Sequence, residues 1–181
     1  MKLKNRRWIV VFFAGLLSLS VLSITGCQEE PEPEPEAKPV VLTIDTTDPQ
    51  AFVRHIVGEY LVITDQLVSQ YQHFKAAKDT QGFILYRNNH WTPTYIDSKR
   101  SYEKTLFNQK AYIYRQQLNG LFDLFFELQK LSILLKHSLL KEDWGLEEQA
   151  MSRIAKDRLL MMKYLKAEDV GKGVFRSSTD S

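Results

Sequence analysis

The feature that most restricts this fold is an apolar stripe on the chain's first long regular segment. Val53, Val57, Tyr60, Thr64, Leu67, Tyr71 and Phe74 recur at alternating steps of four and three. Those steps put all seven on one face of an α-helix, whereas a strand would need steps of two. Phe52, Ile56, Ile63 and Val68 flank the stripe and widen it. Asp48-Pro49 just upstream is a start signal, an N-cap acid followed by Pro where a missing N–H costs nothing. The pattern predicts a helix to about Lys78, with Gly58 off the stripe. Thr64 and the two Tyr hydroxyls need polar outlets if this face is buried.

A second pattern runs from about Thr94 to Leu140. Tyr102, Leu106, Ile113, Leu121, Leu124, Leu128, Leu131 and Leu135 lie at helical spacing, with Gln109 and Gln117 between them. From Leu121 onward Phe122, Phe125, Phe126, Ile133, Leu134 and Leu139 make the segment apolar nearly all round, which predicts a central helix. Asp123, Glu127, Lys130 and Lys136 interrupt it too often for a membrane span. Asn119-Gly120 is either a helix end or a bend, and the continuing apolar spacing favours a single bent helix. Glu142-Asp143-Trp144-Gly145 reads as a turn. Leu146 to Lys166 reads as the last helix, with Ala150, Ile154, Met161 and Leu165 on one face, widened by Met151, Leu159 and Met162. Val40 to Thr46 alternates like an extended lead-in, and Ala167 to Ser181 reads as a frayed tail. The expected fold is an all-α bundle of three long helices, or four if the chain turns at Asn119-Gly120.

The N-terminal segment carries different information. Lys2, Lys4, Arg6 and Arg7 form a basic start, and Trp8 to Thr25 follows without a charge. A basic start, an apolar run and a small-residue exit are the parts of a secretion signal. Ile24-Thr25-Gly26-Cys27 closes it, and this cysteine is the only one in the chain. These four residues resemble the lipobox of bacterial lipoproteins: a branched apolar residue, a small residue, Gly, then Cys. The resemblance implies cleavage between Gly26 and Cys27, lipid on the Cys27 sulfur and usually an acyl group on the new amine. Two or more acyl chains anchor stably where one does not. An uncleaved membrane anchor is the competing reading, because the apolar run approaches the roughly 20 residues that span a bilayer. The position of the lone cysteine favours the lipoprotein. Gln28 rather than Asp follows it, which by the same resemblance implies the outer membrane in a Gram-negative host, and otherwise the outer face of the plasma membrane.

Gln28 to Pro39 reads QEEPEPEPEAKP. Alternating Pro blocks helix and sheet, and the glutamates repel one another, so an extended tether is expected. The chain then divides into a signal (1–26), a lipidated Cys with its acidic tether (27–39), a helical domain (40–166) and a tail (167–181). With Cys27 lipidated no thiol remains for a disulfide, so packing alone must hold the domain. Discounting the signal leaves 20 basic against 22 acidic residues, and from Val40 on the count is 19 against 17. That near-neutral balance gives no case for nucleic-acid binding, which needs a dense positive field.

Chemistry-bearing motifs are few. Tyr86, Arg87, His90, Trp91 and Tyr95 crowd a connection expected over residues 79–93. They either fold back to cap the bundle or offer a partner surface, since Tyr, Trp and Arg are the anchors interfaces favour. His55 and Glu59 have the i,i+4 spacing of metal ligands, and Asp123 and Glu127 share that spacing, but no Glu-x-x-His completes a di-metal pattern. Ser101-Tyr102-Glu103-Lys104 has the Ser-x-x-Lys spacing of penicillin-binding enzymes without its companion motifs. No catalytic residue, metal or cofactor is expected. The leading expectation is a non-catalytic envelope lipoprotein, held to the membrane through lipid on Cys27, whose bundle engages another envelope protein. A bundle binding an apolar ligand among Phe122, Phe125, Phe126, Met151, Met161 and Met162 is the second reading. An enzyme is the third, and would need two or more of His55, Glu59, Asp123 and Glu127 to converge.

Overall fold

The computed structural model describes residues 42–166, which are helical apart from a short lead-in and the turns, with no strand among them. The signal, Cys27, the Pro/Glu stretch, Val40-Val41 and the tail from 167 lie outside the described residues.

Helix α1 (Pro49–Ala76) starts where Asp48 and Pro49 require. The Asp48 carboxylate accepts the Ala51 N–H at 3.1 Å. The whole predicted stripe from Val53 to Tyr71 is fully buried, while Phe74 is half-buried. Two of its three polar members find outlets. Thr64 donates to the Tyr60 carbonyl at 2.6 Å, a bond within the same helix. The Tyr71 hydroxyl meets Ser138 Oγ at 2.9 Å, and the Tyr60 hydroxyl has no hydrogen-bond partner. Upstream, the lead-in is extended and docked as its alternation predicts. Ile44 is buried, its N–H donates to Gln109 Oε1 at 2.7 Å, and Gln109 Nε2 donates back to its carbonyl at 2.9 Å. The Thr105 hydroxyl donates to the Leu42 carbonyl. A side-chain amide thus does for this segment what a neighbouring strand would do.

Residues 79–93 correct the sequence reading, because they are helix rather than loop. Lys78 closes α1 at φ 54°, with its N–H on the Lys75 carbonyl and the Asp79 N–H on the Phe74 carbonyl. Asp79 then caps the next helix, accepting the Gly82 N–H at 2.7 Å. Helix α2 (Thr80–Tyr86), a π-helical turn (Arg87–Trp91) and α3 (Thr92–Asn108) follow without interruption. Pro93 fits because the turn before it is wide: the Thr92 N–H reaches back five residues to the Arg87 carbonyl. In a regular α-turn the Pro ring would strike the carbonyl four residues back.

After Gln109 comes α4 (Lys110–Arg115), and then the chain turns. This corrects the single bent helix. Gln117 sits at φ 56°, its N–H bonds the Tyr114 carbonyl at 3.1 Å, and the Leu118 N–H bonds the Ile113 carbonyl at 2.9 Å. That is a Schellman ending, sealed by buried Ile113 and Leu118. Gly120 is not the stop; it lies in the first turn of α5 (Asn119–Lys141), where a Cβ would fall 2.4 Å from the Tyr164 hydroxyl oxygen. The glycine admits the neighbouring helix. Glu142, at φ 52°, ends α5, and Asp143 caps α6 (Trp144–Lys166) by accepting the Gly145 and Leu146 N–H groups.

Cross-helix contacts fix the directions. Lys75–Glu147 and Tyr71–Ser138 meet at the end where α1 and α5 finish. Phe52–Phe122 (5.7 Å between ring centres) and Gly120–Tyr164 meet at the other, where both begin. Helices α1 and α5 are therefore parallel, and the α2–α3 run and α6 are antiparallel to them. The end holding the lead-in is called near, and the end holding Glu142 far. No helix among the described residues is long and apolar enough to cross a membrane. On α6, Ala150, Ile154 and Met161 are buried as expected, but Leu159 and Met162 face solvent at 69% and 37% exposure. The position between Ile154 and Met161 on the buried face belongs instead to Asp157, which is fully buried.

Candidate functional site

The five residues expected to form a partner surface are mostly internal. Trp91 is buried and its Nε1–H donates to the Ile63 carbonyl at 2.9 Å. Tyr95 is buried, donates to the Phe126 carbonyl at 3.1 Å, and stacks between Trp91 (5.0 Å) and Phe125 (5.8 Å). Arg87 also turns inward, where its Nε and Nη2 donate to Ser132 Oγ at 3.2 and 3.1 Å and Nη1 to Asn88 Oδ1 at 3.0 Å. Burial pulls the guanidinium below its ordinary pKa. Only His90 is exposed, stacked at 5.9 Å on half-buried Tyr86. The aromatic cluster is a wall of the core. Of the surface expected there, Arg87, Trp91 and Tyr95 are buried, and only Tyr86 and His90 keep contact with solvent.

His55 and Glu59 do meet, at 3.6 Å between Nε2 and Oε2. Glu59 also accepts hydroxyl protons from Ser98 and Tyr102 of α3. Burial first, then the bonded Glu59, pushes the Tyr102 hydroxyl far above its ordinary pKa, so it remains a donor. The Glu59 carboxylate thus fastens α1 to α3. Asp123 and Glu127 lie elsewhere: Asp123 is exposed, and Glu127 bonds Lys130 at 2.9 Å. The two pairs do not share a cleft. Among the described residues no group of three or more His, Asp or Glu could hold a metal ion. Ser101 is buried while Lys104 is exposed, so the Ser-x-x-Lys pair is split between core and solvent.

The residues expected to line an apolar ligand site divide: Met161 is buried with the two central Phe rings, while Met162 faces solvent. Phe122 and Phe125 are fully buried, with Tyr102 at 6.3 and 4.7 Å between ring centres. Asp157 is a residue the sequence reading passed over. Arg153 Nε lies 3.1 Å from its Oδ2, but burial still raises its pKa from the ordinary Asp value. Its step of three and four from Ile154 and Met161 was the available signal.

A groove with exposed apolar side chains lies at the far end. Lys75, Lys78, Thr80, Leu139, Glu142 and Trp144 line a groove of about 440 Å³ between the α1–α2 and α5–α6 turns. Trp144 is 51% exposed, and the Lys75 ammonium lies 4.5 Å from its ring centre while bonding Glu147 at 2.5 Å. Leu140 is 53% exposed on the same end. The Asp143 cap and the cation on one side of the ring fix an aromatic anchor of the kind that dominates binding energy. No family model matches the chain, and neither do curated proteins or solved structures.

Proposed function

We propose that the protein is a lipid-anchored bacterial envelope lipoprotein whose helical bundle is a non-catalytic protein-binding module. The observation that carries the anchoring is the lone cysteine at the end of Ile24-Thr25-Gly26-Cys27. On this reading Cys27 is lipidated, residues 1–26 are removed, and residues 28–39 tether the bundle. The absence of Asp after Cys27 places it in the outer membrane if the host is Gram-negative, and on the outer face of the plasma membrane otherwise. We count four members in the bundle, taking α2, the π turn and α3 as one rod beside α1, α5 and α6.

The partner site is the far-end groove around Trp144, in place of the aromatic cluster at Tyr86–Tyr95. Support for a binding role comes from how polar chemistry is spent inside the domain: Glu59, Arg87 and Ser138 bond other helices. Acyl labelling and membrane fractionation of wild type and Cys27→Ser test the anchor; unchanged labelling and fractionation would remove it. Photo-crosslinking in intact cells from position 144, with position 91 as the buried control, tests the groove. Capture of one defined envelope protein from 144 but not from 91 is the expected result. Equal yields, or none from 144, would refute the site.

A further inference from the structure

We infer that the near-end corner between α3 and α4 is a second membrane contact, a face that rests on anionic phospholipid. The corner carries the most exposed large apolar side chain among the described residues, Phe107 at 84%, together with Tyr114 at 54%. Around them Lys104, Lys110 and Arg115 are exposed; the acid one turn before Phe107, Glu103, pairs with Lys99 at 3.6 Å, and residues 104–115 contain no acid. Lys110 Nζ lies 5.9 Å from the Tyr114 ring centre, so cation and ring form one amphipathic unit. Aromatic rings projecting among lysines and arginines suit a headgroup layer, where rings enter the interface and cations meet phosphate. Asp45 and Asp48 are the nearest opposing acids of the lead-in, and each has partners of its own: Asp45 bonds Thr47, and Asp48 bonds Ala51 and Arg54.

A second observation selects a bilayer over another occupant. The chain coming from Cys27 enters the bundle at this corner, because Leu42 is bonded to Thr105 and Ile44 to Gln109, on either side of Phe107 in the sequence. Even fully extended at about 3.5 Å per residue, the stretch from Cys27 to Leu42 reaches only about 50 Å. A lipid on Cys27 therefore keeps this corner within about 50 Å of the headgroups, which raises its local concentration there, so a weak contact suffices. In this respect the inference rests on the anchoring reading, although the surface chemistry does not. The far end is mixed rather than positive: Lys75, Lys78 and Lys141 stand there among Asp79, Glu142, Asp143, Glu147 and Glu148. Near end on lipid, far end outward: the Trp144 groove is then presented to partners.

The test uses the mature chain from residue 27 on with Cys27→Ser, which retains every contact described here and has no lipid to bind for it. Co-sedimentation is measured with phosphatidylcholine vesicles and with vesicles containing about one-third phosphatidylglycerol. The expected result is binding to the anionic vesicles only, lost at high salt. Each cation removed should weaken it about fivefold, so Lys110→Glu/Arg115→Glu should abolish it. Phe107→Ser should weaken it as well, and Trp144→Ser at the far end should leave it unchanged. All these positions are exposed, and circular dichroism confirms that the variants fold. Absent binding, equal binding to both vesicles, or indifference to the corner variants overturns the inference. Acylation of Cys27 is read separately in cells, so an acylated protein whose corner fails here keeps its anchor and loses only this contact.

Discussion

Two glycines inside helices give opposite answers to the same substitution. Gly58 sits mid-way along α1, exposed, and a Cβ built on it meets nothing within 4 Å. Gly58→Ala should therefore recover the propensity difference alone, about 1 kcal/mol, which is roughly 3 °C in Tm for a domain of this size. Gly82 sits in the first turn of α2, where the same Cβ would lie 2.2 Å from Asp79 Oδ2 and 2.6 Å from Phe74 Cε1. Relieving that contact means moving the carboxylate that caps the helix, a loss of about 1 kcal/mol. It also means pushing Phe74 off Phe83 and Tyr86, whose ring centres are 6.5 and 6.3 Å away. Overpacking of that kind costs about 1–3 kcal/mol. After the propensity gain, Gly82→Ala should destabilise by roughly 1–3 kcal/mol. Urea unfolding of both variants measures the pair, and Asp79→Ala supplies a cycle. With the cap already gone, part of the Gly82→Ala penalty should vanish. Two stabilising glycine replacements, or additive effects in the cycle, would refute the reasoning.

Other consequences are simpler to check. Gln117→Gly and Glu142→Gly should each stabilise by up to about 1 kcal/mol, since both residues hold positive φ that glycine adopts freely; thermal melts of the single variants read this. Glu59→Ala should cost about 1–3 kcal/mol by leaving the buried Tyr102 hydroxyl without its acceptor, whereas His55→Ala, at the exposed edge of the cluster, should cost far less. Asp157 supplies the pH dependence. Because burial raises its folded pKa above the ordinary 3.8, the folded state binds its proton more tightly than the unfolded state. Its contribution to stability is therefore greatest below that value and falls as pH rises through the raised pKa. Asp157→Asn should flatten stability against pH in that window, and a denaturant series from pH 3 to 7 would reveal an unchanged slope if the assignment is wrong.

Helices whose signals are local were legible in the residues. Asp48-Pro49 and the stripe from Val53 to Tyr71 specify α1, and the all-round apolar run after Leu121 specifies the centre. What hid was chemistry that depends on a partner. The helical nature of 79–93 was obscured because Gly82, Asn89 and Pro93 all disfavour an ordinary helix. Its supports are a cap from Asp79 and a widened turn, neither of which has a periodicity. The break before α5 was sought at Asn119-Gly120 because glycine is the usual left-handed residue. The chain uses Gln117 for that role and keeps Gly120 for the approach of Tyr164. The aromatic residues of the predicted site pointed inward for a related reason. Composition identifies Trp91 and Tyr95 as anchors, but only the fold decides whether they anchor a partner or the core. Trp144, hidden in a four-residue turn, lay outside any pattern.

The docking of Ile44 on Gln109 also settles how this domain would carry load. A pull applied upstream of Leu42 does not reach the start of α1 directly; it arrives first at two amide bonds and the Thr105 hydroxyl, all on the α3–α4 break. Those bonds are few and can part before any helix unwinds, paying out a short length of slack. A pull on the lead-in would then be met by release of these bonds, with the bundle left intact behind it.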